Sequence, residues 1–265
     1  MIPKIIHYCW LSNDPYPADI AHWMDTWKKH LPDYEIMRWD LKRFPLERSA
    51  WVREAFTHRK YAFAADYIRL HALYEYGGIY LDSDVEAVKP FGKLLERPFL
   101  LGFERDGTIE GGVMGAEPHA PWVKACLDHY NGRHFIREDG SQETTPLPKI
   151  LAKTLQEHGI DRSLILPWEY LTACSPHIEP CITPNTCTVH HFYGSWLEAF
   201  RRSDILRLGA WRLVKIKKRI KRVDFSSPDY PRMFKPEEKI VAQWQVSKWK
   251  MLALVKADSG QSGKS

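Results

Sequence analysis

The chain contains no stretch of eighteen consecutive apolar residues, so no transmembrane helix is expected. Its opening, MIPKIIHYCWLSND, has a short apolar run and no small-residue cleavage site after it, so no signal peptide is expected. Cysteine is scarce: Cys9, Cys126, Cys174, Cys181 and Cys187 are irregularly spaced and form no C-x-x-C. That disfavours a structural zinc site and reads as the reduced thiols of a cytosolic protein. There is no P-loop, no G-x-G-x-x-G and no Ser-His-Asp order, which removes the common nucleotide and hydrolase signatures. No internal repeat is visible.

What is present is enough for one large domain, or one domain with an appendage: 265 residues, 13% of them aromatic and 44% hydrophobic. The net charge of +5 is unevenly spread. Residues 201–223 hold ten Lys or Arg and one Asp, or +9, which leaves −4 for the rest of the chain. The basic character therefore describes one surface.

Apolar runs and helical patterns alternate. KIIHYCW (4–10) and YEIMRWD (34–40) read as strands, with a helix over 18–30 between them. A helical pattern at 47–58 leads into another at 61–76, then Ile79–Leu81 reads as a strand. This order predicts a parallel α/β sheet. Further strands are expected at 85–89, 98–104, 111–116, within SLILP (163–167) and over 186–196. A helical turn is expected at 91–95 and helices near 121–130, 148–158, 204–223 and 236–256, with a disordered tail from Asp258.

Residues 61–86, YAFAADYIRLHALYEYGGIYLDSDVE, organise the rest. Four alanines and no proline or glycine favour a helix over 61–76, with Phe63, Tyr67, Leu70 and Tyr74 as its apolar stripe. Asp66 and Arg69 are neighbours three residues apart. Gly77 and Gly78 stop the helix. Were the backbone extended through Asp82-Ser83-Asp84, both carboxylates would point the same way at the carboxyl end of a buried strand. Carboxylate oxygens are hard ligands suited to Mg²⁺ or Mn²⁺. A D-x-D alone is as readily a solvated turn or a helix cap, and Asp66 with Arg69 alone is as readily an ordinary surface ion pair. On a strand, His190 and His191 face opposite sides, so one can complete a metal shell while the other packs.

The string A-x-x-A-D-Y-x-R-x-x-x-L-Y-x-x-G-G-I-Y-x-D-x-D in 62–84, together with IPKIIHYCW at 2–10 and HFYGSW at 191–196, resembles the DXD-motif sugar-binding glycosyltransferases. That family includes bacterial capsule and lipopolysaccharide transferases and fungal initiating mannosyltransferases, and large clostridial glucosylating toxins share its catalytic core. The resemblance runs through residues 2–120 and again over 186–196. It implies an α/β fold of the GT-A type, with a mostly parallel central sheet and C-terminal helical additions. It makes Asp84 a direct metal ligand and Asp82 a metal ligand that often acts through water or the ribose, with the diphosphate supplying further oxygens. It makes Asp66 a ligand of donor-sugar hydroxyls and Arg69 a partner of Asp66 or of the donor. Trp10 is expected to stack on the donor base, as any base offers a π-face. Ser195 and Trp196 close over the donor, and His191, by its spacing to Gly194 and Trp196, is preferred over His190 as the third metal ligand. One departure stands out: family members often carry an asparagine where this chain has Gly111, and Glu110 beside it either substitutes or faces solvent.

The expected domains are a catalytic domain over 1–200, a helical extension over 201–257 and a tail over 258–265. The expected function is Mn²⁺- or Mg²⁺-dependent, retaining transfer of a hexose from UDP- or GDP-hexose to a glycan or lipid-linked glycan hydroxyl, in bacterial surface polysaccharide synthesis. A nucleotide-sugar hydrolase and a catalytically silent glycan-binding protein are the alternatives. In 204–223, Leu206, Gly209, Leu213, Ile216, Ile220 and Val223 share one helical stripe, with basic residues elsewhere. Such a helix either lies on an anionic membrane or packs on the catalytic domain. The protein is expected in the cytoplasm, and the first reading sets it peripherally on the inner face of the cell membrane. Nucleic acid is not an expected partner.

Overall fold

The computed structural model describes residues 1–12, 14–173 and 180–192. Ser195, Trp196, the two expected C-terminal helices and the tail lie outside them. The described residues all fall in one compact unit.

Its centre is a five-stranded sheet in the order β2-β1-β3-β6-β5, made of β1 (Ile5–Cys9), β2 (Glu35–Trp39), β3 (Gly78–Leu81), β5 (Phe99–Leu100) and β6 (Val113–Ala116). β1 runs parallel to both β2 and β3, and β6 alone is reversed, so the mixed α/β class with a mostly parallel sheet is as expected. The remaining two strands, β4 (Val85–Ala87) and β7 (Thr188–His190), form a separate antiparallel pair.

Side-chain alternation sorts the strands into two cores. Ile6 and Tyr8 of β1 and Ile79 and Leu81 of β3 pack with Trp27 and Leu31 of α1 (Ala18–His30) and its following turn. Met37 and Trp39 of β2, Tyr80 of β3 and Met114 of β6 pack on the opposite face. There they meet α2 (Ala50–Thr57), α3 (Tyr61–Tyr76), α4 (Pro121–Asp128) and α5 (Leu147–Glu157). Each large apolar side chain so buried stabilises by roughly 1.5–3 kcal/mol.

Helix α3 departs from the expected single stripe. Ala64, Ala65, Ile68, Leu70, Ala72 and Leu73 are buried together with Asp66 and Arg69, whereas Phe63, Tyr67 and Tyr74 are only half-buried. Its alanines let neighbouring elements approach from several sides. It ends at Gly77 with φ 64° and ψ −160°, a conformation open essentially to glycine alone. A Cβ there would lie 2.6 Å from Pro118 Cδ.

Several expected strands are shorter or absent: 85–89 keeps Val85–Ala87, 186–196 keeps Thr188–His190 among the described residues, and two others change further. The 98–104 run keeps only Phe99–Leu100 as a strand, because the chain turns back through a Phe103–Ile109 bridge. SLILP forms a 3₁₀ turn at Arg162–Leu164, capped by Asp161 accepting from the Ser163 backbone, and only Leu166 bridges to Gly102. Short α6 (Trp168–Leu171) follows.

Candidate metal and donor-sugar site

Because β1 and β3 are parallel, the residues after both strands emerge at one sheet edge. Trp10 follows β1 there, half-buried, its ring edge-on to Tyr16 at 4.7 Å and its indole N–H donating to the Asp14 carbonyl at 3.0 Å. Asp82 follows β3. The backbone does not stay extended: the Val85 N–H donates to the Asp82 carbonyl at 3.0 Å and closes a turn over 82–85. It is this turn, with β4 beginning directly after it, that brings the two carboxylates together. α1 holds the start of β4 in place, since the Trp27 indole N–H donates to the Val85 carbonyl at 2.7 Å.

Antiparallel pairing of β4 with β7 sets Val85 opposite His190. The third nitrogen near the aspartates therefore belongs to His190 and not to His191, a correction of the sequence preference. His190 Nε2 lies 3.4 Å from Asp84 Oδ1. His191, one residue on, faces the other way: its ring stacks on Trp23 at 4.2 Å, and its Nε2 lies 2.9 Å from Glu86 Oε2. Only its backbone reaches the site, donating to the Asp84 carbonyl at 3.0 Å.

Arg69 ties the rest together. Its guanidinium lies 3.1 Å from Asp66 Oδ1 and 3.2 Å from Asp82 Oδ1, donates to the Gly111 carbonyl at 2.6 Å, and stacks over the Tyr80 ring. The Tyr80 hydroxyl donates to Asp82 at 3.0 Å. Asp66 and Arg69 are thus a buried pair sharing Asp82, not a solvated pair on a helix surface. Losing one partner of such a pair costs far more than the tenths of a kcal/mol of a surface pair. Burial, outweighing Arg69, pushes the Asp66 carboxyl up to about 6. Burial likewise pushes Asp82 above the usual carboxylate range. Burial opposes the charge on Arg69, but Asp82, Tyr80 and Asp66 outweigh it.

Sequence reasoning left Glu110 undecided. It is buried, and its carboxylate accepts from the Gly112 backbone N–H, from the Thr172 hydroxyl at 3.2 Å and from His190 Nδ1 at 3.1 Å. Burial works against a charge on His190, yet Glu110 and Asp84 hold it well above the ordinary histidine value. Nearby Glu104 is pushed up to about 8, by burial first and by Glu110 second.

Asp82, Asp84 and His190 each offer a ligand atom, and these atoms lie within 4.8 Å of one another. Two carboxylates and an imidazole suit a divalent cation, the nitrogen favouring Mn²⁺ over Mg²⁺. Four carboxyl groups (Asp66, Asp82, Asp84, Glu110) gather here with Arg69 and His190, a set of acidic groups that suits a cation. Gly112 leaves the room: a Cβ there would stand 2.6 Å from His190 Cε1 and 2.8 Å from Asp82 Oδ2.

Residues 17–100 match the family model described as the glycosyltransferase sugar-binding region containing the DXD motif. Over those residues the chain is similar to the DXD-motif glycosyltransferases. Over 146 residues it is 34% identical to mannosyl phosphorylinositol ceramide synthase SUR1 of Saccharomyces cerevisiae, covering 51% of this chain and 37% of that one. Inositol phosphoceramide mannosyltransferase 3 of Schizosaccharomyces pombe is 32% identical over 46% of this chain and 35% of its own length. The chain thus spans little more than a third of these two relatives. It also matches an uncharacterized glycosyltransferase, L373, of Acanthamoeba polyphaga mimivirus at 24% identity over 74% of this chain and 84% of that one. Among solved structures, PaToxG glycosyltransferase is similar at 21% identity with a TM-score of 0.44, covering 62% of this chain and 73% of that chain. The galactosyltransferase LgtC is similar at 14% identity with a TM-score of 0.42, over 71% and 87%.

Proposed function

We propose that the chain transfers a hexose from a nucleotide diphosphate sugar to a hydroxyl of a glycan or lipid-linked glycan, with Asp82, Asp84 and His190 holding a divalent cation, Mn²⁺ before Mg²⁺. The observation that carries this reading is the convergence of those three side chains at the end of β3, with Asp82 and Asp84 inside the stretch that matches the DXD family model and His190 brought to them by β7. When bound, the cation supplies Lewis-acid neutralisation of the diphosphate charge.

The chain's own residues do the rest. Arg69 and Tyr80 fix Asp82, so its carboxylate needs no reorganisation when the donor arrives. Asp66 presents a buried carboxylate to the sugar hydroxyls, and Trp10 offers its ring at the same sheet edge for the base. Retention of anomeric configuration follows from the family resemblance. One relative is named an inositol phosphoceramide mannosyltransferase and another a mannosyl phosphorylinositol ceramide synthase, which favours mannose as the hexose and a lipid-linked acceptor. That acceptor in turn favours a place at the inner face of a membrane, with the basic segment 201–223 facing the lipid.

The test is turnover of UDP- and GDP-hexoses with Mn²⁺, in the presence and absence of acceptor glycans, by wild type and Asp84→Asn. Acceptor-dependent transfer by wild type, abolished in a folded Asp84→Asn protein, is the expected result. A metal-independent, active Asp84→Asn enzyme contradicts the reading, and donor cleavage unaffected by acceptor makes the protein a hydrolase instead.

A further inference from the structure

The Glu110 carboxylate is buried at 1% exposure, 80 residues away in sequence from the histidine it contacts. Two further donors that cannot easily leave also hold it. One is the Gly112 backbone N–H, at the entrance to β6. The other is the hydroxyl of Thr172, a residue with no exposed surface. Thr172 acts twice, since its carbonyl also accepts from the His190 backbone N–H at 2.9 Å. The ring and the peptide of His190 are thereby held against one three-residue frame, Glu110, Gly112 and Thr172. The ring's far face is covered by Phe192, stacked at 4.1 Å.

We infer that Glu110 is the positioning residue of the metal site: by accepting the Nδ1–H of His190 it presents the Nε2 lone pair to the cation shared with Asp82 and Asp84. This rests on the metal reading given above. A neutral imidazole has one N–H and one lone pair, and the partner of the first decides the direction of the second. In the structure Nδ1 lies 3.1 Å from both Glu110 oxygens, while Nε2 points to Asp84. A carboxylate behind a metal-bound histidine fixes its tautomer and raises its basicity, and removing it typically costs 10–100-fold in metal affinity. Mere anchoring of β7 would require only a contact with Glu110. It would not require that Nε2 lie 3.4 Å from Asp84, nor that Asp82, Asp84 and His190 bring ligand atoms within 4.8 Å of one another.

Two measurements test the inference on the full chain. In the first, Mn²⁺ alone is titrated into wild type and Glu110→Gln, with free Mn²⁺ followed by its electron paramagnetic resonance signal. Wild type binds, and Glu110→Gln is expected to bind 10–100-fold more weakly. Equal affinity in a folded Glu110→Gln protein overturns the positioning role and leaves the metal reading standing. No binding by wild type overturns both. In the second, which needs no variant, wild type is loaded with diamagnetic Cd²⁺ and the His190 ring is read by long-range ¹H–¹⁵N correlation. A proton on Nδ1 and none on Nε2 is expected, and a proton on Nε2 in the loaded protein overturns the inference.

Discussion

At the scale of single residues, the site is governed by how little space it leaves. Gly112 is the clearest case, because its missing side chain is what lets His190 and Asp82 approach. Gly112→Ala would place a methyl group inside contact distance of both and force one to move. We expect metal-dependent turnover to fall at least tenfold, with a stability loss of about 1–3 kcal/mol, the usual cost of overpacking. Mn²⁺ titration and thermal unfolding check the two effects separately, and an alanine variant with unchanged Mn²⁺ affinity would show that the ligands do not need this gap. Trp10 tests the other end of the donor. If its ring carries the base, Trp10→Ala weakens nucleotide binding by about 1–3 kcal/mol, measured by calorimetry in the presence of Mn²⁺. An unaltered affinity would assign the ring to its contacts with Tyr16 and Asp14 alone.

At the scale of elements, β1 matters through His7 as much as through Trp10. His7 is fully buried between two neighbours, donating from Nε2 to the Gly77 carbonyl at 2.7 Å and accepting at Nδ1 from the Trp39 indole N–H at 3.1 Å. It thus ties β2 and the turn that launches β3 to β1. Both ring nitrogens are used by the neutral form, and burial lowers its pKa from 6.5 to about 4. A depressed folded value means that only the unfolded chain takes up a proton between those limits. The contribution is complete above pH 6.5 and is lost as pH falls toward 4, by up to about 3 kcal/mol. Denaturant unfolding across that range should show the loss in wild type and a flatter profile in His7→Gln, and parallel profiles would place the titration elsewhere. The sequence announced β1, α1, β2, α3 and β3 because each has a clean period and clear end signals. It preferred the wrong histidine and left Glu110 open for a different reason. Which of two adjacent histidines turns inward depends on the register of β4 with β7, a pairing across about a hundred residues that local pattern does not encode. Asp66, Arg69, Asp82 and Asp84 were legible because their spacing within one helix-turn-strand unit already fixes their neighbourhood. Glu110 was not legible, since its partner lies in β7.

At the scale of the whole molecule, charge is segregated along the chain. Ten Lys or Arg and one Asp fall within residues 201–223, and the other residues sum to −4. The acidic site therefore lies outside the strongly basic segment, in residues whose charges sum to a net negative value. No described helix is long and apolar enough to cross a membrane, so attachment to lipid would rest on such a surface interaction among the means visible in this sequence. Each Lys or Arg held near an anionic leaflet contributes about 1 kcal/mol, and the effect decays within a Debye length. Trp211, within the same segment, supplies an apolar ring with one polar tip suited to the water–lipid boundary. The expected outcome in liposome co-sedimentation is binding that requires anionic lipid and weakens as salt is raised. Changing Lys217, Lys218, Arg219, Lys221 and Arg222 to glutamine removes five of the ten basic charges and should abolish it, with donor hydrolysis or transfer to a soluble acceptor left intact. Equal partitioning to neutral and anionic vesicles, or to neither, would assign the basic segment to packing within the protein and leave a lipid-linked acceptor to be reached some other way.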